Sequence, residues 1–353
     1  MEFGGDRRRI LVTGAGGPLG VNVTRSLKAA PGDPFVLGTE ANRYHLPLAL
    51  SDETELIPPA RETADYLDAV AALVEEHAIG MILPTHPVEV RTVAASRDRF
   101  QGVRLVLPDA EVVMTAQNKW RTWRILEEAS VPVPATELIG TREDLTRCFE
   151  AIGTRPVWVR GAGVPGAGIG VASLPCRELE HAAAWIDHWR GWGGFIASEF
   201  LPGRNLTWLG LFFEGRLVAC QSRERLEYVI PHVSPSGITG APAVSKTVSR
   251  GDLSRTGEAA IRALDPRPHG PYFVDMTEDG EGTPRVTEIN AGRFGTTIHF
   301  YTEAGFNFPW LLADLAFDGA PDGSSVVDPI EPDTYWLRTI DCGPVLVRGL
   351  DAG

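Results

Sequence analysis

The chain has 353 residues, of which 43% are hydrophobic, and its formal net charge at pH 7 is −13. This is the composition of a globular protein with room for two or three domains, and the acidic charge argues against a nucleic-acid partner. We expect a cytoplasmic protein with no membrane partner and reduced cysteines, because no apolar run reaches membrane-spanning length, residues 1–9 are polar and no CxxC spacing occurs.

The first third of the chain alternates short apolar strands with helices. The predicted strands cover residues 10–12, 35–40, 80–84 and 104–107, and the predicted helices cover 21–30 and 64–77. Such alternation predicts a parallel, doubly wound sheet, in a first unit that ends near Val113.

A glycine-rich turn follows the first strand. Gly14, Gly17 and Gly20 match a dinucleotide-binding fingerprint, and Glu40 ends the second strand, where an acid would contact a ribose. An NAD(P)-dependent oxidoreductase is therefore one hypothesis. Oxidoreductases of this short-chain type need a Tyr-x-x-x-Lys pair, however, and none of the six tyrosines has a lysine four positions later. We favour a scaffold role for the turn.

The middle of the chain combines helices with a glycine-rich loop. Helices are predicted at 119–129, 143–152, 177–189 and 253–264, and strands at 157–160, 170–172, 195–200, 207–213 and 216–222. Residues 161–170 contain five glycines, so their backbone can come close to phosphate oxygens and donate N–H groups to them. The last thirty or so residues are expected to form a small lid or a strand-rich tail.

Two acids near the C-terminus carry the clearest chemical signal. Asp275 precedes the polar turn 278–282, and Glu288 and Asn290 follow it. A tight hairpin could bring Asp275 opposite Glu288, and Asn290 would lie on the same face as Glu288. Two carboxylates that close repel each other and are costly to desolvate, which a divalent cation relieves. Three oxygen-bearing side chains suit Mg²⁺, which takes its remaining ligands from substrate phosphates. Mn²⁺ is an alternative.

Taken in order, these motifs resemble the ATP-grasp superfamily, particularly its carbamoyl-phosphate-synthase-like branch. The resemblance rests on Lys119 at a helix start, the extended segment 131–136 with two prolines, Arg160 before the glycine-rich flap, the hinge 199–203 and the Asp275, Glu288, Asn290 set. It covers nearly the whole chain. It implies an α/β fold, α+β in the C-terminal half, with four parts: a Rossmann-like pre-ATP-grasp domain (1–113), a small ATP-grasp lobe with the flap (114–194), a large lobe with the metal site (195–320) and a tail (321–353).

The resemblance also implies roles for individual residues. Expected ATP contacts are Lys119, Arg160, Gly163, Gly166, Gly168, Glu199, Phe200, Leu201 and Asn205. The expected metal ligands are Asp275, Glu288 and Asn290, and the expected catalytic arginines are Arg223, Arg225 and Arg293. Two positions depart from the family pattern, since Arg160 replaces the usual lysine and Asn205 replaces a frequent ribose-binding carboxylate. His86, Glu89 and His299 are weaker candidates for substrate contacts, and structural roles are favoured for them.

The implied activity is that of an ATP-dependent carboxylate–amine ligase. ATP and Mg²⁺ are the implied cofactors, a small carboxylate and an amine the implied substrates, and homodimers are common among relatives. Three alternatives stay open: phosphorylation of bicarbonate or carbamate on the same fold, the NAD(P)-dependent oxidoreductase, and an ATP-binding module without catalysis.

Overall fold

The computed structural model describes residues 7–163, 172–231, 240–321, 323–339 and 345–348, which form three sheets and their flanking helices. The strands are β1 Arg9–Thr13, β2 Phe35–Glu40, β3 Glu53–Leu56, β4 Met81–Leu83, β5 Thr136–Ile139, β6 Val157–Gly161, β7 Leu174–Cys176, β8 Phe195–Glu199, β9 Asn205–Phe213, β10 Arg216–Tyr228, β11 Pro242–Val248, β12 Gly270–Glu278, β13 Pro284–Ala291, β14 Val326–Val327, β15 Thr334–Leu337 and β16 Val345–Arg348.

The helices connect these strands and cover the sheets. They are α1 Pro18–Lys28, α2 Thr63–Glu76, α3 Pro87–Ala95, α4 Ala110–Ala116, α5 Lys119–Glu128, α6 Arg142–Ile152, α7 Leu179–His188, α8 Gly251–Leu264, α9 His299–Glu303 and α10 Phe308–Asp318. In the described part of the chain, no helix has both the length and the apolar content that a membrane crossing requires.

The first sheet is parallel, in the order β3-β2-β1-β4, with apolar cores on both faces. The predicted parallel, doubly wound sheet is therefore confirmed, but the strand predicted at 104–107 is wrong. Only Arg104 forms a β-bridge, to Met81, while Val106 and Leu107 are buried in the cores without a strand partner. β3 takes the remaining place in the sheet, and its exposed, polar sequence carries no apolar pattern that would predict a strand.

The second sheet is antiparallel and has its own core. Its order is β5-β8-β6-β7, and α6 and α7 pack against it through side chains such as Leu145, Phe149 and Ile186. The strand expected at 170–172 is misplaced: residues 170 and 171 lie outside the described ranges, Ala172 is not in a strand, and β7 begins only at Leu174.

The third sheet is the largest, in the order β13-β12-β9-β10-β11-β15-β16, with β14 paired to β10. Trp208 and Ile261 belong to the core that α8 covers, while Leu209 and Phe300 belong to the core shared with the first sheet. This shared core fixes the first sheet against the third. Gly14 after β1 and Thr85 after β4 consequently line one cavity together with Arg293, which follows β13.

Candidate functional site

The two acids singled out in the sequence stand opposite each other in the third sheet. Asp275 on β12 pairs with Glu288 on β13, and a bulge follows directly, so that Met276 pairs with Val286. Thr287 is the extra residue of this bulge, and its hydroxyl donates to the backbone oxygen of Asp275 at 3.1 Å. The hairpin thus holds both carboxylates on one face, as the sequence predicts.

Basic side chains from three different elements surround this acid pair. Lys119 Nζ lies 3.2 Å from Glu288 Oε2, and Arg225 Nη2 lies 3.5 Å from Asp275 Oδ1. Arg160 reaches across from the second sheet and donates from Nη2 to the backbone oxygen of Thr287 at 2.6 Å. Burial raises the pKa of Glu288, but the charges of Lys119 and Arg160 outweigh burial, and the net pKa is lowered. Glu288 is therefore ionised at neutral pH.

The arginines of the site retain unused donors. Nε of Arg160, Arg223 and Arg225 is buried in each case, without a hydrogen-bond partner among the described residues. Burial lowers the pKa of Arg160, opposed by the charges of Glu288 and Asp275. Buried guanidinium groups without enough acceptors are costly, so Arg160 and Arg225, which border the cavity described next, suit a ligand rich in acceptor oxygens, such as a phosphate chain.

The acid pair, Lys119, Arg160 and Arg225 line a cavity of about 430 Å³ between the second and third sheets, which we call the first cavity. Nine of the residues predicted for the site border it: Lys119, Arg160, Glu199, Phe200, Leu201, Asn205, Arg225, Asp275 and Glu288. Its volume is in the range of small-molecule and cofactor sites.

One wall of the first cavity is the connection between the second and third sheets. Glu199 ends β8, and its backbone N–H donates to the backbone oxygen of Ala135 at 2.8 Å. Asn205 begins β9, where its side-chain oxygen accepts from Thr277 Oγ1 at 3.2 Å. The exposed fraction of Leu201 is 8%, and Phe200 lies 6.2 Å, ring to ring, from Trp158. The segment 199–205 therefore presents a polar strand end next to an apolar surface, a combination typical of small-molecule and cofactor sites.

Trp158 is a lining residue that the sequence interpretation missed. It stands two positions before Arg160 on β6, so both side chains lie on the same face of that strand. That spacing was the available signal. Thr207 was missed as well, although it donates from Oγ1 to Asp275 Oδ1 at 3.0 Å and so orients that carboxylate.

Three residues predicted as catalytic groups or metal ligands do not border the first cavity. Arg223 is 5% exposed, contacts Thr297 and stacks over Phe273, with 5.8 Å from its guanidinium carbon to the ring centroid. Arg293 donates to the side-chain oxygen of Asn290, which therefore has a protein partner in this structure. Within the described ranges, no group of three or more His, Cys, Asp and Glu side chains could hold a metal ion. The carboxylates of Asp275 and Glu288 border the cavity and suit a cation that takes its other ligands from phosphates, whereas Asn290 would have to leave Arg293 to join them.

The start of the glycine-rich flap is held close to α5. Gly163 has φ +79°, and a Cβ there would lie 2.4 Å from the backbone oxygen of Gln117, just before Lys119. The backbone N–H of Lys119 also donates to the backbone oxygen of Ala162 at 2.8 Å. Gly163 is therefore required for a close contact that positions Lys119. Gly166 and Gly168, the other predicted flap contacts, lie outside the described residues.

The fold of the chain is similar to that of several solved structures. The biotin carboxylase domain of the Hydrogenobacter thermophilus 2-oxoglutarate carboxylase matches with a TM-score of 0.68 and 16% identity, over 93% of this chain and 73% of that one. The L-amino acid ligase of Bacillus licheniformis matches with a TM-score of 0.66 and 15% identity, over 94% and 79%. The N5-carboxyaminoimidazole ribonucleotide synthetase of Thermus thermophilus matches with a TM-score of 0.65 and 18% identity, over 93% and 81%.

The chain has the ATP-grasp fold. No protein-family model and no curated protein sequence matches it. The fold confirms the predicted architecture of a parallel N-terminal sheet followed by antiparallel sheets. The first cavity lies between the two antiparallel sheets that follow the parallel N-terminal sheet of this fold.

The N-terminal glycine turn of this ATP-grasp chain is closed by its own residues. Glu40 accepts from the backbone N–H of Gly16 at 3.1 Å, of Ala41 at 3.0 Å and of Asn42 at 3.1 Å. A Cβ at Gly16 would lie 2.0 Å from the backbone oxygen of His45. Because both oxygens of Glu40 bind the backbone, the geometry favours the scaffold role of the turn over a ribose contact.

A second cavity of about 480 Å³ opens beside this turn. Gly14, Glu40, His86 and Glu89 from the N-terminal domain border it, together with Arg293 from beyond the metal motif. His86 and Glu89 form the capping box of α3, a helix that the sequence interpretation missed. His299, the remaining weak candidate, borders neither cavity and contacts Ser26 and Glu303, at 3.1 Å and 2.9 Å.

Proposed function

We propose that this protein is an ATP-dependent ligase that phosphorylates a small carboxylate and joins it to an amine. The observation that carries the proposal is the first cavity, where Asp275 and Glu288 face each other among Lys119, Arg160 and Arg225. A divalent cation between the acids would leave the basic groups free for phosphate oxygens. Acids that bind metal and cations that bind phosphate, in one cavity, are what phosphoryl transfer needs.

Each part of the cavity has a distinct task in this proposal. Lys119 and Arg160 hold the phosphates of ATP, with Gly163, Gly166 and Gly168 in the flap, and Glu199, Phe200, Leu201 and Asn205 receive the nucleoside. Asp275, Glu288 and Asn290 would hold Mg²⁺ or Mn²⁺, which neutralises charge on the phosphate oxygens when bound. The biotin carboxylase domain from Hydrogenobacter thermophilus, whose fold is similar, was crystallised with MgADP and bicarbonate, which supports this assignment.

The reaction consists of two transfers. A carboxylate oxygen attacks the γ-phosphorus of ATP, the bond to the β-phosphate oxygen breaks, and an acyl phosphate and ADP form. The amine then attacks the acyl carbon, the bond from that carbon to the phosphate oxygen breaks, and the amine loses a proton. Positive charge where the carboxylate and the transferred phosphoryl group meet comes from Arg225, which lies beside Asp275. Arg223 and Arg293, whose charges also interact with Asp275, add to it.

A second candidate is phosphorylation of bicarbonate or carbamate. It is favoured by the similarity to a biotin carboxylase domain and to an N5-carboxyaminoimidazole ribonucleotide synthetase. The L-amino acid ligase is equally similar, so the comparisons support both candidates. The two candidates share the first cavity and differ only in the acid that accepts the phosphoryl group.

The test is release of ADP and phosphate from MgATP with a panel of carboxylates and amines, in buffer purged of bicarbonate. We expect release that depends on one class of acid, and release restored by bicarbonate alone would select the second candidate. Asp275→Asn should abolish release, whereas Glu281→Gln, an exposed position in the same hairpin turn, should not change it. Full turnover in Asp275→Asn would contradict the proposal.

A further inference from the structure

Two arginines of the proposed site are tied to one short connecting segment, residues 293–297, which runs from β13 toward α9. Arg293 is its first residue and donates to the side-chain oxygen of Asn290. Thr297 is its last residue, and its hydroxyl accepts from the guanidinium of Arg223. The segment therefore carries one arginine and holds the other, so its position determines where both guanidinium groups lie.

The backbone of this segment is attached only weakly through its own hydrogen bonds. Residues 293–297 belong to no helix or strand, and within the described ranges none of their N–H groups donates to a backbone oxygen. The carbonyl groups of Gly295 and Thr297 accept from residues three positions further along the chain. Phe294 is buried in the core shared with the first sheet, but an apolar contact is not directional and does not orient the backbone on either side.

The side chain of Asn22, on α1, supplies a directional contact to this segment. Its Nδ2 donates to the backbone oxygen of Thr296 at 2.8 Å and to that of Pro18, four residues back on the same helix, at 2.9 Å. Both amide hydrogens are thus used, one within α1 and one toward the segment. Asn22 is 6% exposed, so little water competes for these bonds. Among the hydrogen bonds of the described residues, the bond to Thr296 is the one that ties 293–297 to the N-terminal domain.

The oxygen of the same amide indicates that Asn22 does more than stabilise the helix interface. Asn22 Oδ1 is buried, and among the described residues it has no hydrogen-bond partner. A buried acceptor without a donor is costly, and a leucine of similar size would avoid that cost. The amide is therefore explained better by the two bonds that it donates than by stability alone.

The helix that carries Asn22 is a firm support for this contact. Leu19, Val23 and Leu27 of α1 are buried in the core that the first and third sheets share. The bond to Thr296 therefore fixes the segment relative to the packed body of the N-terminal domain. Loss of the donor would leave a buried carbonyl oxygen without a partner, which favours displacement of the segment.

The next turn of α1 offers a matched comparison. Ser26 Oγ lies 3.1 Å from His299 Nδ1 and accepts from Thr302 Oγ1 at 2.9 Å. Ser26 is fully buried, like Asn22 it lies between α1 and the chain that follows β13, and it bonds α9 instead of the segment 293–297. A change at Ser26 therefore weakens the same interface without releasing Thr296.

We propose that Asn22 is a positioning residue, which acts through Thr296 to hold the segment 293–297 in place. The segment in turn holds Arg293 and Arg223 where the phosphoryl group is transferred. The consequence for catalysis rests on the proposed ligase function, whereas the attachment of the segment rests on the contacts alone. The scaffold role of the glycine turn and α1 then extends to the arrangement of the arginines at the proposed site.

The attachment is tested on the full chain without any substrate, by amide hydrogen exchange resolved for single residues by NMR at pH 7. The amide of Ile298 donates to the backbone oxygen of Gly295 and reports on the segment. The amide of Gly305 donates to the backbone oxygen of Thr302 and reports on α9. Local release of either part raises the exchange rate of its own amide.

Asn22→Leu should raise the exchange rate of Ile298 about tenfold, the factor that corresponds to one hydrogen bond, and should leave that of Gly305 unchanged. Ser26→Ala should do the reverse. A wild-type exchange rate of Ile298 in Asn22→Leu would overturn the proposal. An equal increase at both amides would overturn it as well, because it would show a general loosening of the interface.

Asn22→Ser is a second variant for the case that Asn22→Leu does not fold. A serine hydroxyl at this position can still donate to Pro18, as Ser26 Oγ does to the backbone oxygen of Asn22, four residues back, at 3.0 Å. It is too short to reach Thr296 as well. Asn22→Ser should therefore give the same exchange pattern as Asn22→Leu.

Turnover separates a positioning role from a merely structural one. With MgATP and an acid that the wild type accepts, Asn22→Leu should lower kcat about tenfold, because misplaced charges stabilise the transition state less well. The dissociation constant of MgATP, measured by calorimetry, should change less than threefold. Ser26→Ala should lower the melting temperature but retain kcat. Wild-type kcat in Asn22→Leu would overturn the positioning role, whereas a wild type without turnover on any acid would overturn the ligase proposal alone.

Discussion

Among single residues, Glu288 joins the acid pair, a basic contact and the proposed metal set. It pairs with Asp275 across the hairpin, contacts Lys119 and would be a metal ligand. Glu288→Gln keeps the size of the side chain but removes the charge. We expect turnover to fall by roughly 100-fold, as for other groups that stabilise transition-state charge. The Mg²⁺ concentration for half-maximal rate should rise as well.

Glu281→Gln is the control for this substitution, since it removes a carboxylate from the same hairpin at an exposed position. Its rate and Mg²⁺ dependence should equal those of the wild type. If Glu288→Gln has the wild-type Mg²⁺ dependence, Glu288 is not a metal ligand.

Glu89 has a predictable effect on stability through its pKa. The pKa rises from 4.5 to about 7 on folding, mainly because of burial and against the hydrogen bonds of Thr13 and His86. A raised carboxyl pKa means that the native state binds more protons than the unfolded state, so stability falls as the pH rises through this range. The loss amounts to about 3 kcal/mol at most.

Glu89→Gln cannot ionise and should escape this loss. The melting temperature of Glu89→Gln relative to the wild type should therefore be higher at pH 8 than at pH 5. His86 and Tyr66 lie close to Glu89 and remain in both proteins, so their titration largely cancels in the comparison. A constant difference across this pH range would disprove the raised pKa.

At the scale of elements, the contact between the flap and α5 depends on one glycine. Gly163 has φ +79°, and a Cβ there would lie 2.4 Å from the backbone oxygen of Gln117. Gly163→Ala should therefore move the start of α5, and Lys119 with it, and should weaken binding of MgATP. Gly193→Ala is a matched control, because Gly193 has φ +83° with nothing within 4 Å of its Cβ position.

Both substitutions carry a backbone penalty of about 1 kcal/mol, so only the contact distinguishes them. We expect Gly193→Ala to lower the melting temperature with no effect on the dissociation constant of MgATP, measured by calorimetry. Equal dissociation constants for the two variants would show that the contact does not position Lys119.

The sequence was most informative where a motif combines chemistry with a defined spacing. The hairpin between Asp275 and Glu288 follows from alternation and a polar turn, and the structure confirms their pairing. The strand predicted at 104–107 was wrong because an extended buried segment has the same apolar pattern as a strand. The second cavity was not predicted, because it joins Glu40, Glu89 and Arg293, which lie far apart in the sequence.

For the whole molecule, the ATP-grasp fold and the N-terminal fingerprint make opposite predictions about the nucleotide. Glu40 binds the backbone of its own turn, whereas the first cavity has basic groups for phosphates. MgATP at about 100 times its dissociation constant should raise the unfolding free energy by about 2.7 kcal/mol. NADH and NADPH should not change the melting temperature. Stabilisation by NADH alone would revive the oxidoreductase hypothesis.

The proposed ligase transfers the γ-phosphoryl group of ATP to a carboxylate. Acids labelled with ¹⁸O in the carboxyl group, bicarbonate included, reveal this transfer when they react with MgATP and an amine. When the amine displaces the phosphate, one labelled oxygen must leave with it, so mass spectrometry should find one ¹⁸O in the released phosphate. Turnover that yields only unlabelled phosphate would contradict the acyl-phosphate route and, with it, the proposed ligase.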